Sequence, residues 1–291
     1  MNADLSPSLA RRPTGTEIAA FEADGAVALR GIVDPSWIAV LAAGMERNIA
    51  DPGPFGRTYT KPGEPGRFFG DYCNWTRIPE YRRFVAASGI GAAAAALMRS
   101  RTARFFHEHV LVKEPGTQNP TPWHHDMPYY CVDGRQTLSL WIPLDAVPED
   151  TCVRYVAGSH RWGKLFFPRK FDPAKRYAQD DSAYDAMPDI DAELASDPGA
   201  HRVLAWDLAP GDAIAFHFLA LHGAPGNASP TRRRRAFAAR WLGDDVRYCR
   251  RPGEVSPPFP EIKDLAHGAP LPSAIFPQIW PGPDAASGVQ S

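Results

Sequence analysis

The sequence predicts one α+β domain whose core is a β-sandwich or a β-barrel. Proline supplies 30 of the 291 residues, about twice its usual share of ~5%, and proline breaks helix interiors, which excludes a bundle of long helices. Helical patterns occupy the first third of the chain, and short apolar runs separated by turn residues follow. That order of elements is typical of an α+β domain.

Charge and cysteine usage exclude several classes of protein. The formal net charge is −1, so no global field attracts nucleic acid or an anionic membrane. The four cysteines are far apart and form no CxxC pair, which argues against a disulfide scaffold or a thiolate zinc site and suits a reducing compartment. No apolar run has the length of a signal peptide or a membrane span. We therefore expect a cytoplasmic protein with a small-molecule partner.

Three helices are expected before the strands begin. Thr14 can cap the first helix because Glu17 stands three residues later, and Gly25 ends it. Pro35, at a first-turn position, opens the second. The predicted helices cover residues 14–24, 35–49 and 79–98, with a strand over 26–33 between the first two.

The remaining chain is divided into strands and three irregular segments. The segment 51–70, rich in proline and glycine, is predicted as loop, 163–200 as a polar insertion, and 252–291 as proline-rich coil. Residues 1–13 are expected to be flexible, and 14–291 to form a single domain. The predicted strands are 104–113, 138–144, 153–156, 203–206, 213–218 and 234–242.

The segment TPWHHDMPYY, residues 121–130, carries the strongest chemical signal. If it is a strand, His124 and Asp126 point to one face and His125 points away. The best candidate for a third ligand is His222, at the end of another apolar strand. Two histidines and one carboxylate leave coordination positions open, which is the facial triad of non-haem Fe(II) oxygenases.

The arginine run 232–235 begins the last strong strand. Neutral net charge and the lack of interleaved aromatic residues disfavour a nucleic-acid patch, and a solvated turn explains Arg232 and Arg233. In the strand pattern, Arg234 shares a face with small alanines that leave room for a bound group. A buried guanidinium there would hold a carboxylate, which we take to be the distal carboxylate of 2-oxoglutarate. Arg233 and Arg235 remain alternatives.

These motifs together resemble the phytanoyl-CoA dioxygenase (PhyH) family of Fe(II)/2-oxoglutarate-dependent oxygenases. The matching text is VKEPGTQNPTPWHHD, LSLWIPLD, VRYVAGSHRWG, LAPGDAIAFHFLALHGAPGN and RRAFAARW. The resemblance implies a double-stranded β-helix, a cupin-like jelly roll, flanked by N-terminal helices. It implies iron ligation by His124, Asp126 and His222, and use of O2 with release of succinate and CO2.

The resemblance also suggests residues for the cosubstrate. Arg234 falls where the family has its 2-oxoglutarate arginine, and Trp141 occupies the place of a pocket tryptophan found in some relatives. Where the family often has a serine two residues after the distal histidine, this chain has Ala224. Thr137 is the expected substitute donor.

Hydroxylation of an aliphatic C–H bond of a small molecule is the expected reaction, because Asp126 keeps the carboxylate that related halogenases replace. The candidate substrate-lining residues are Tyr129, Tyr72, Trp75 and Arg67. The alternatives are a metal-binding jelly roll without oxygenase activity and a non-oxygenase cupin enzyme. His107, His109, His125, His160 and His217 are expected to be structural.

Overall fold

The computed structural model describes residues 9–169 and 181–281. The expected flexible N-terminus therefore lies outside the described residues for positions 1–8. The helices are α1 (Gly15–Asp24), α2 (Pro35–Ala50), α3 (Pro79–Ala87), α4 (Ile90–Leu97) and α5 (Ile190–Ser196). The strands are β1 (Ala26–Leu29), β2 (Arg57–Thr58), β3 (Phe68–Tyr72), β4 (Ala103–Lys113), β5 (Thr121–His124), β6 (Val132–Asp133), β7 (Thr137–Pro143), β8 (Arg154–Val156), β9 (Val203–Leu204), β10 (Ala213–Phe216), β11 (His222–Ala224), β12 (Arg234–Leu242), β13 (Arg247–Tyr248) and β14 (Gln278–Trp280).

Two antiparallel sheets form the body. The major sheet has the strand order β1-β10-β7-β12-β4-β3-β2, with β14 added to β4, and the minor sheet has the order β5-β11-β8-β9. One narrow cavity is lined by Trp141 and Ala238 of the major sheet and by His124 and Tyr155 of the minor sheet. The sheets therefore face each other, as the predicted jelly roll requires.

Helices α1 to α4 cover the outer face of the major sheet. On β12, Phe237 packs against Phe84 of α3 with ring centroids 5.7 Å apart, and Phe84 in turn contacts Trp37 of α2. The first helix begins with the predicted capping box of Thr14 and Glu17. This apolar layer holds the outer side of the sheet and leaves the inner side for the site.

The strand β12 confirms the alternation that the sequence predicts. Phe237 and Trp241 belong to the core beneath the helices. Ala236 and Ala238 face the interior between the sheets, and Arg234 and Arg240 line the cavity there. Side chains alternate because the backbone is extended, and both faces of this strand are largely buried.

Two predicted elements are wrong in detail. The third helix is broken into α3 and α4 because Gly89 adopts a φ of 74°, a left-handed conformation that ends one helix before the next begins. The segment 51–70, predicted as loop, contains β2 and the start of β3, which extend the edge of the major sheet. Turn-forming residues around these short strands concealed them.

The C-terminal segment is also more ordered than coil. Gln278 of β14 pairs with Arg104 of β4, and the backbone N–H of Phe105 donates to the carbonyl of Pro277 at 3.0 Å. The predicted insertion contains α5, while its positions 170–180 lie outside the described residues. All four cysteines are free, as expected. In the described ranges, no helix has the length and apolar character needed to cross a membrane.

Candidate metal centre and adjoining cavities

The three predicted metal ligands converge. His124, at the end of β5, is the register partner of His222, which begins β11, and their ring centroids are 4.2 Å apart. Asp126 is fully buried beside them, and Nε2 of His124 lies 3.7 Å from Asp126 Oδ1. One donor atom from each residue lies within 4.8 Å of the other two. The cluster has the size and composition of a facial triad.

The backbone positions Asp126 in a way that the strand argument did not foresee. The strand β5 ends at His124, and Asp126 has a φ of −81° and a ψ of −34°, which is helical. Its backbone N–H and that of Met127 both donate to the carbonyl oxygen of Phe218, at 2.8 and 3.1 Å. The predicted convergence is therefore correct, but a turn anchored to the segment before β11 produces it, not strand alternation.

Hydrogen bonds orient both imidazoles for metal binding. Nδ1 of His124 lies 2.8 Å from the carbonyl of Pro122, and Nδ1 of His222 lies 2.9 Å from that of Ala220. Because a carbonyl oxygen can only accept, each Nδ1 carries the proton and each Nε2 keeps its lone pair. This is the arrangement by which a second hydrogen bond fixes a ligating histidine.

The charges of the cluster also fit a metal ion. Burial lowers the pKa of His222 to about 3 and lowers the pKa of His124, so both rings are neutral. Burial alone would raise the pKa of Asp126, but the nearby Arg240 guanidinium holds it below its ordinary range. Neutral imidazoles and an ionised carboxylate are the forms that bind a divalent cation.

Arg240 is a buried cation beside the cluster. Its Nε lies 3.6 Å from Asp126 Oδ2, and the hydroxyl of Tyr129 donates to Asp126 Oδ1. Arg240 borders two cavities, one on each side. The sequence places it on the inner face of β12, but only the structure brings it to the metal ligands.

The smaller cavity holds two buried cations. Arg234 is 7% exposed and Lys113 is 1% exposed. They are register partners on β12 and β4, and both line the same cavity as His124 and His222. No carboxylate of the described residues forms an ion pair with either, and both donate to the carbonyl of Pro225.

Burial shifts the pKa values of both cations. It lowers the pKa of Arg234 to about 10, and it lowers the pKa of Lys113 well below its ordinary value, to which the charge of Arg234 also contributes. Such a pair is stabilised by an anion placed between its members and the metal ligands.

The environment of Arg234 differs from those of the neighbouring arginines in the sequence. Arg233 forms ion pairs with Glu114 and Glu46. Arg235 forms ion pairs with Asp145 and Glu46. Both alternatives are thus engaged at the surface, and only Arg234 of the three lines the cavity.

Of the other residues predicted to bind the cosubstrate, one lines the small cavity and one does not. Trp141 lines the small cavity, as does Ala224, which lacks the family's serine hydroxyl. Thr137 does not line it: its hydroxyl lies 3.3 Å from His217 Nε2, at the opposite end of β7. The expected substitute donor is therefore wrongly chosen, and Lys113 is the polar group in that position. Its place as the last residue of β4 offered no sequence signal.

The larger cavity, of about 560 Å³, opens on the other side of Arg240. Tyr72 and Tyr129 line it, as predicted. Trp75 does not, because its ring packs edge-on against Phe105 at 5.3 Å in the core. Arg67 does not either, since its guanidinium lies over the ring of Phe69 at 4.9 Å.

Several lining residues were not predicted. His107 and His109, which were expected to be structural, lie in the cavity wall, and Arg57 takes the place expected for Arg67. His107 and His109 lie two residues apart on the inner face of β4. From sequence alone, a polar residue in an apolar strand could be either structural or part of a cavity wall. The structural roles expected for His125, His160 and His217 agree with their hydrogen bonds to backbone groups.

A jelly roll with a buried cluster of two histidines and one carboxylate is the arrangement found in non-haem Fe(II) oxygenases. The model of the phytanoyl-CoA dioxygenase (PhyH) family matches residues 21–236. The chain therefore belongs to this family, as its motifs predict, and the predicted enzyme class is confirmed with it. No protein of curated function matches the chain in sequence.

Solved structures share the fold at low identity. The non-heme alpha ketoglutarate dependent carbocyclase SnoK from nogalamycin biosynthesis is 23% identical with a TM-score of 0.71, covering 94% of this chain and 99% of that one. The epimerase SnoN, in complex with Fe3+, alpha ketoglutarate and nogalamycin RO, is 22% identical with a TM-score of 0.69, covering 91% and 97%. EctD from S. alaskensis, with 2-oxoglutarate and 5-hydroxyectoine, is 20% identical with a TM-score of 0.65, covering 92% and 87%.

Proposed function

We propose that this protein is an Fe(II)- and 2-oxoglutarate-dependent dioxygenase that hydroxylates an aliphatic C–H bond of a small molecule held in the larger cavity. The observation that carries the proposal is the junction of the triad with a small cavity that contains two buried cations without carboxylate partners. A non-oxygenase cupin or a simple metal-binding module has no need for that pair. A 2-oxo-dicarboxylate meets both requirements, because one end chelates a metal and the other end is an anion.

Each residue then has a defined task. His124, Asp126 and His222 hold the metal, and Arg234 and Lys113 bind the distal carboxylate of 2-oxoglutarate. Bound iron(II) with 2-oxoglutarate supplies the activation of O2 that oxidises a C–H bond, with release of succinate and CO2. The walls of the small cavity, Trp141 among them, exclude water from the cosubstrate.

The two cavities separate cosubstrate from substrate. Arg240 stands between them, and the larger cavity has a volume within the range of ~300–1,000 Å³ that is usual for small-molecule sites. Hydroxylation is preferred within the proposal because Asp126 occupies the carboxylate position of the triad. The carbocyclase and the epimerase named above show that this fold also serves other reactions in other proteins.

Anaerobic addition of Fe(II) and 2-oxoglutarate tests the proposal. We expect a weak visible metal-to-ligand charge-transfer band that His124→Ala abolishes. The matched control is His125→Gln, the neighbouring histidine, which turns away and accepts from the backbone N–H of Phe166. An absent band in the intact protein, or one unchanged by His124→Ala, would contradict the proposal.

A second comparison tests the cosubstrate site. Arg234→Met should weaken 2-oxoglutarate binding far more than iron binding, whereas Arg233→Met, one residue away, should leave both unchanged. With Fe(II) and O2, candidate substrates should stimulate succinate formation and yield a product heavier by one oxygen atom. A product lighter by two hydrogen atoms would show that the reaction is desaturation instead of hydroxylation. The assignment of the cofactors would not change.

A further inference from the structure

The larger cavity has an unequal distribution of charge. Of the described residues that line it, four are cationic and one is acidic: Arg57, Lys61, Arg169, Arg240 and Glu254. The innermost cation, Arg240, lies 3.6 Å from Asp126 and is thereby compensated. The excess positive charge is at the rim, where Arg57, Lys61 and Arg169 are exposed.

Arg57 is the rim cation best placed to bind a ligand. It forms no ion pair with any described residue. The buried carboxylate of its neighbourhood, Asp71, already accepts from the side-chain amide of Asn48 and from the backbone N–H of Gly53, both at 2.7 Å. Arg57 also lies on β2, a two-residue strand whose register with β3 fixes its backbone.

The inner wall carries a polar atom without a partner. His107 is 3% exposed, its Nδ1 lies 3.2 Å from the carbonyl of Glu108, and its Nε2 has no hydrogen bond among the described residues. Because Nδ1 faces a carbonyl, it carries the proton, and Nε2 is a hydrogen-bond acceptor. A buried acceptor in the wall of a ligand cavity is satisfied when the ligand supplies a donor.

Tyrosine side chains line the cavity between Arg57 at the rim and His107 in the inner wall. Tyr72 stacks on Phe55 with ring centroids 4.6 Å apart and also borders His107 at 6.4 Å. Tyr59 and Tyr130 complete the aromatic wall. The cavity thus has a cationic outer end, an aromatic middle and a neutral acceptor near the metal ligands.

We propose that the substrate is a small organic oxyanion, a carboxylate or a phosphate monoester, whose acid group binds Arg57 at the rim and whose body carries a hydroxyl or N–H donor for His107. The proposal rests on the proposed function only in treating the larger cavity as the substrate site. It places the acid group away from the metal, so the oxidised carbon belongs to the part of the molecule beside the hydrogen-bond donor.

Binding to the intact protein tests this without turnover. The protein is loaded with Mn(II) and saturating 2-oxoglutarate, and binding of hydroxylated aryl and alkyl carboxylates, the matching phosphate monoesters, and the corresponding methyl esters is measured by calorimetry. We expect at least one acid to bind ~10-fold or more tightly than its neutral ester and to weaken with added salt. If no acid in the panel binds more tightly than its ester, the proposal is overturned.

Variants locate the acid group. Arg57→Ala should remove the preference for acid over ester, and Arg67→Ala, the matched arginine outside the cavity, should keep it. His107→Phe should weaken hydroxylated probes and leave their deoxy analogues unchanged. Loss of acid binding in Arg234→Ala with retention in Arg57→Ala would place the anion in the small cavity and overturn the proposal. If acid binding depends on Arg57 but the charge-transfer band is missing, the result contradicts the oxygenase activity. The inference about the acid group would then still stand.

Discussion

Lys113 and Arg234 stand directly opposite each other on β4 and β12, and both donate to the carbonyl oxygen of Pro225. Two buried cations in one small cavity repel each other, and neither has a carboxylate partner among the described residues. The protein therefore carries a local destabilisation that an anionic ligand relieves. Sites prepared for a ligand commonly sacrifice stability in this way.

Replacing one of the two cations tests this relationship. Lys113→Met should weaken 2-oxoglutarate binding ~10- to 100-fold, since a charge-assisted hydrogen bond contributes about 1.5–3 kcal/mol. The ligand-free variant should be at least as stable as the parent, because the like-charge repulsion is gone. Titration of the charge-transfer band and urea unfolding check the two effects. Lys263→Met, at an exposed position, is the control, and loss of stability without loss of affinity would contradict the prediction.

Gly226 tests how the carbonyl of Pro225 is positioned. A Cβ at Gly226 would lie 2.5 Å from the carbonyl oxygen of Thr117 and 2.7 Å from that of Gln118, both rigid backbone atoms. We expect Gly226→Ala to lower the free energy of unfolding by about 1–3 kcal/mol and to weaken 2-oxoglutarate binding as the loop moves. Gly15→Ala, in helix α1, where a Cβ meets no atom within 4 Å, should lower neither the free energy of unfolding nor the affinity. Unaltered affinity in Gly226→Ala would show that the loop does not set the cation geometry.

The hydroxyl of Tyr129 donates to the carboxylate of Asp126, one of the three proposed metal ligands. Loss of such a supporting hydrogen bond typically lowers metal affinity ~10- to 100-fold. Tyr129→Phe should therefore weaken Fe(II) binding, measured by competition with a chelator under anaerobic conditions. Tyr184→Phe, which loses a hydroxyl contact with the carbonyl of Pro128, should bind iron as tightly as the parent. Equal affinities for the two variants would remove Tyr129 from the support of the metal site.

Buried histidines make the stability of the fold sensitive to acid. Burial lowers the pKa of His217 to about 4, whereas an unfolded histidine has a pKa near 6.5. Between these values the unfolded chain binds a proton that the folded chain does not, so stability falls as pH falls. From pH 7 to pH 5, His217 accounts for a loss of about 2 kcal/mol.

Urea unfolding at the two pH values measures this contribution. His217→Gln should be less stable than the parent at pH 7, because His217 is hydrogen-bonded through both ring nitrogens. Its loss on acidification should be smaller by about 2 kcal/mol. An unchanged pH dependence would mean that His217 has an ordinary pKa in the folded protein.

The sequence predicts the inner and outer faces of β12 correctly because the alternation of side chains is a local property of extended backbone. It also predicts the convergence of His124, Asp126 and His222, although the physical reason for the position of Asp126 is a turn anchored by Phe218. Ligand types at the right chain positions are visible in a sequence even when the local backbone is misjudged.

The residues that sequence reasoning missed come from distant parts of the chain. Lys113 meets Arg234 only through the register of β4 with β12, and no local pattern fixes that register. Arg57 lies in a segment whose glycines and prolines indicate loop, so β2 was not expected. Thr137 has a suitable hydroxyl, but it lies at the wrong end of β7 to reach the small cavity.

The backbone bonds between Asp126 and Phe218, with the register pairing of His124 and His222, have a consequence for the choice of metal. They hold the donor atoms together before any ion arrives. Two imidazoles and one carboxylate bind Mn(II), Co(II) and Ni(II) as well as iron, with affinities that follow the Irving–Williams order. The ion bound at such a site would therefore depend on the metal supply around the protein as well as on the ligand set, and substitution of iron by another divalent ion is an expected hazard.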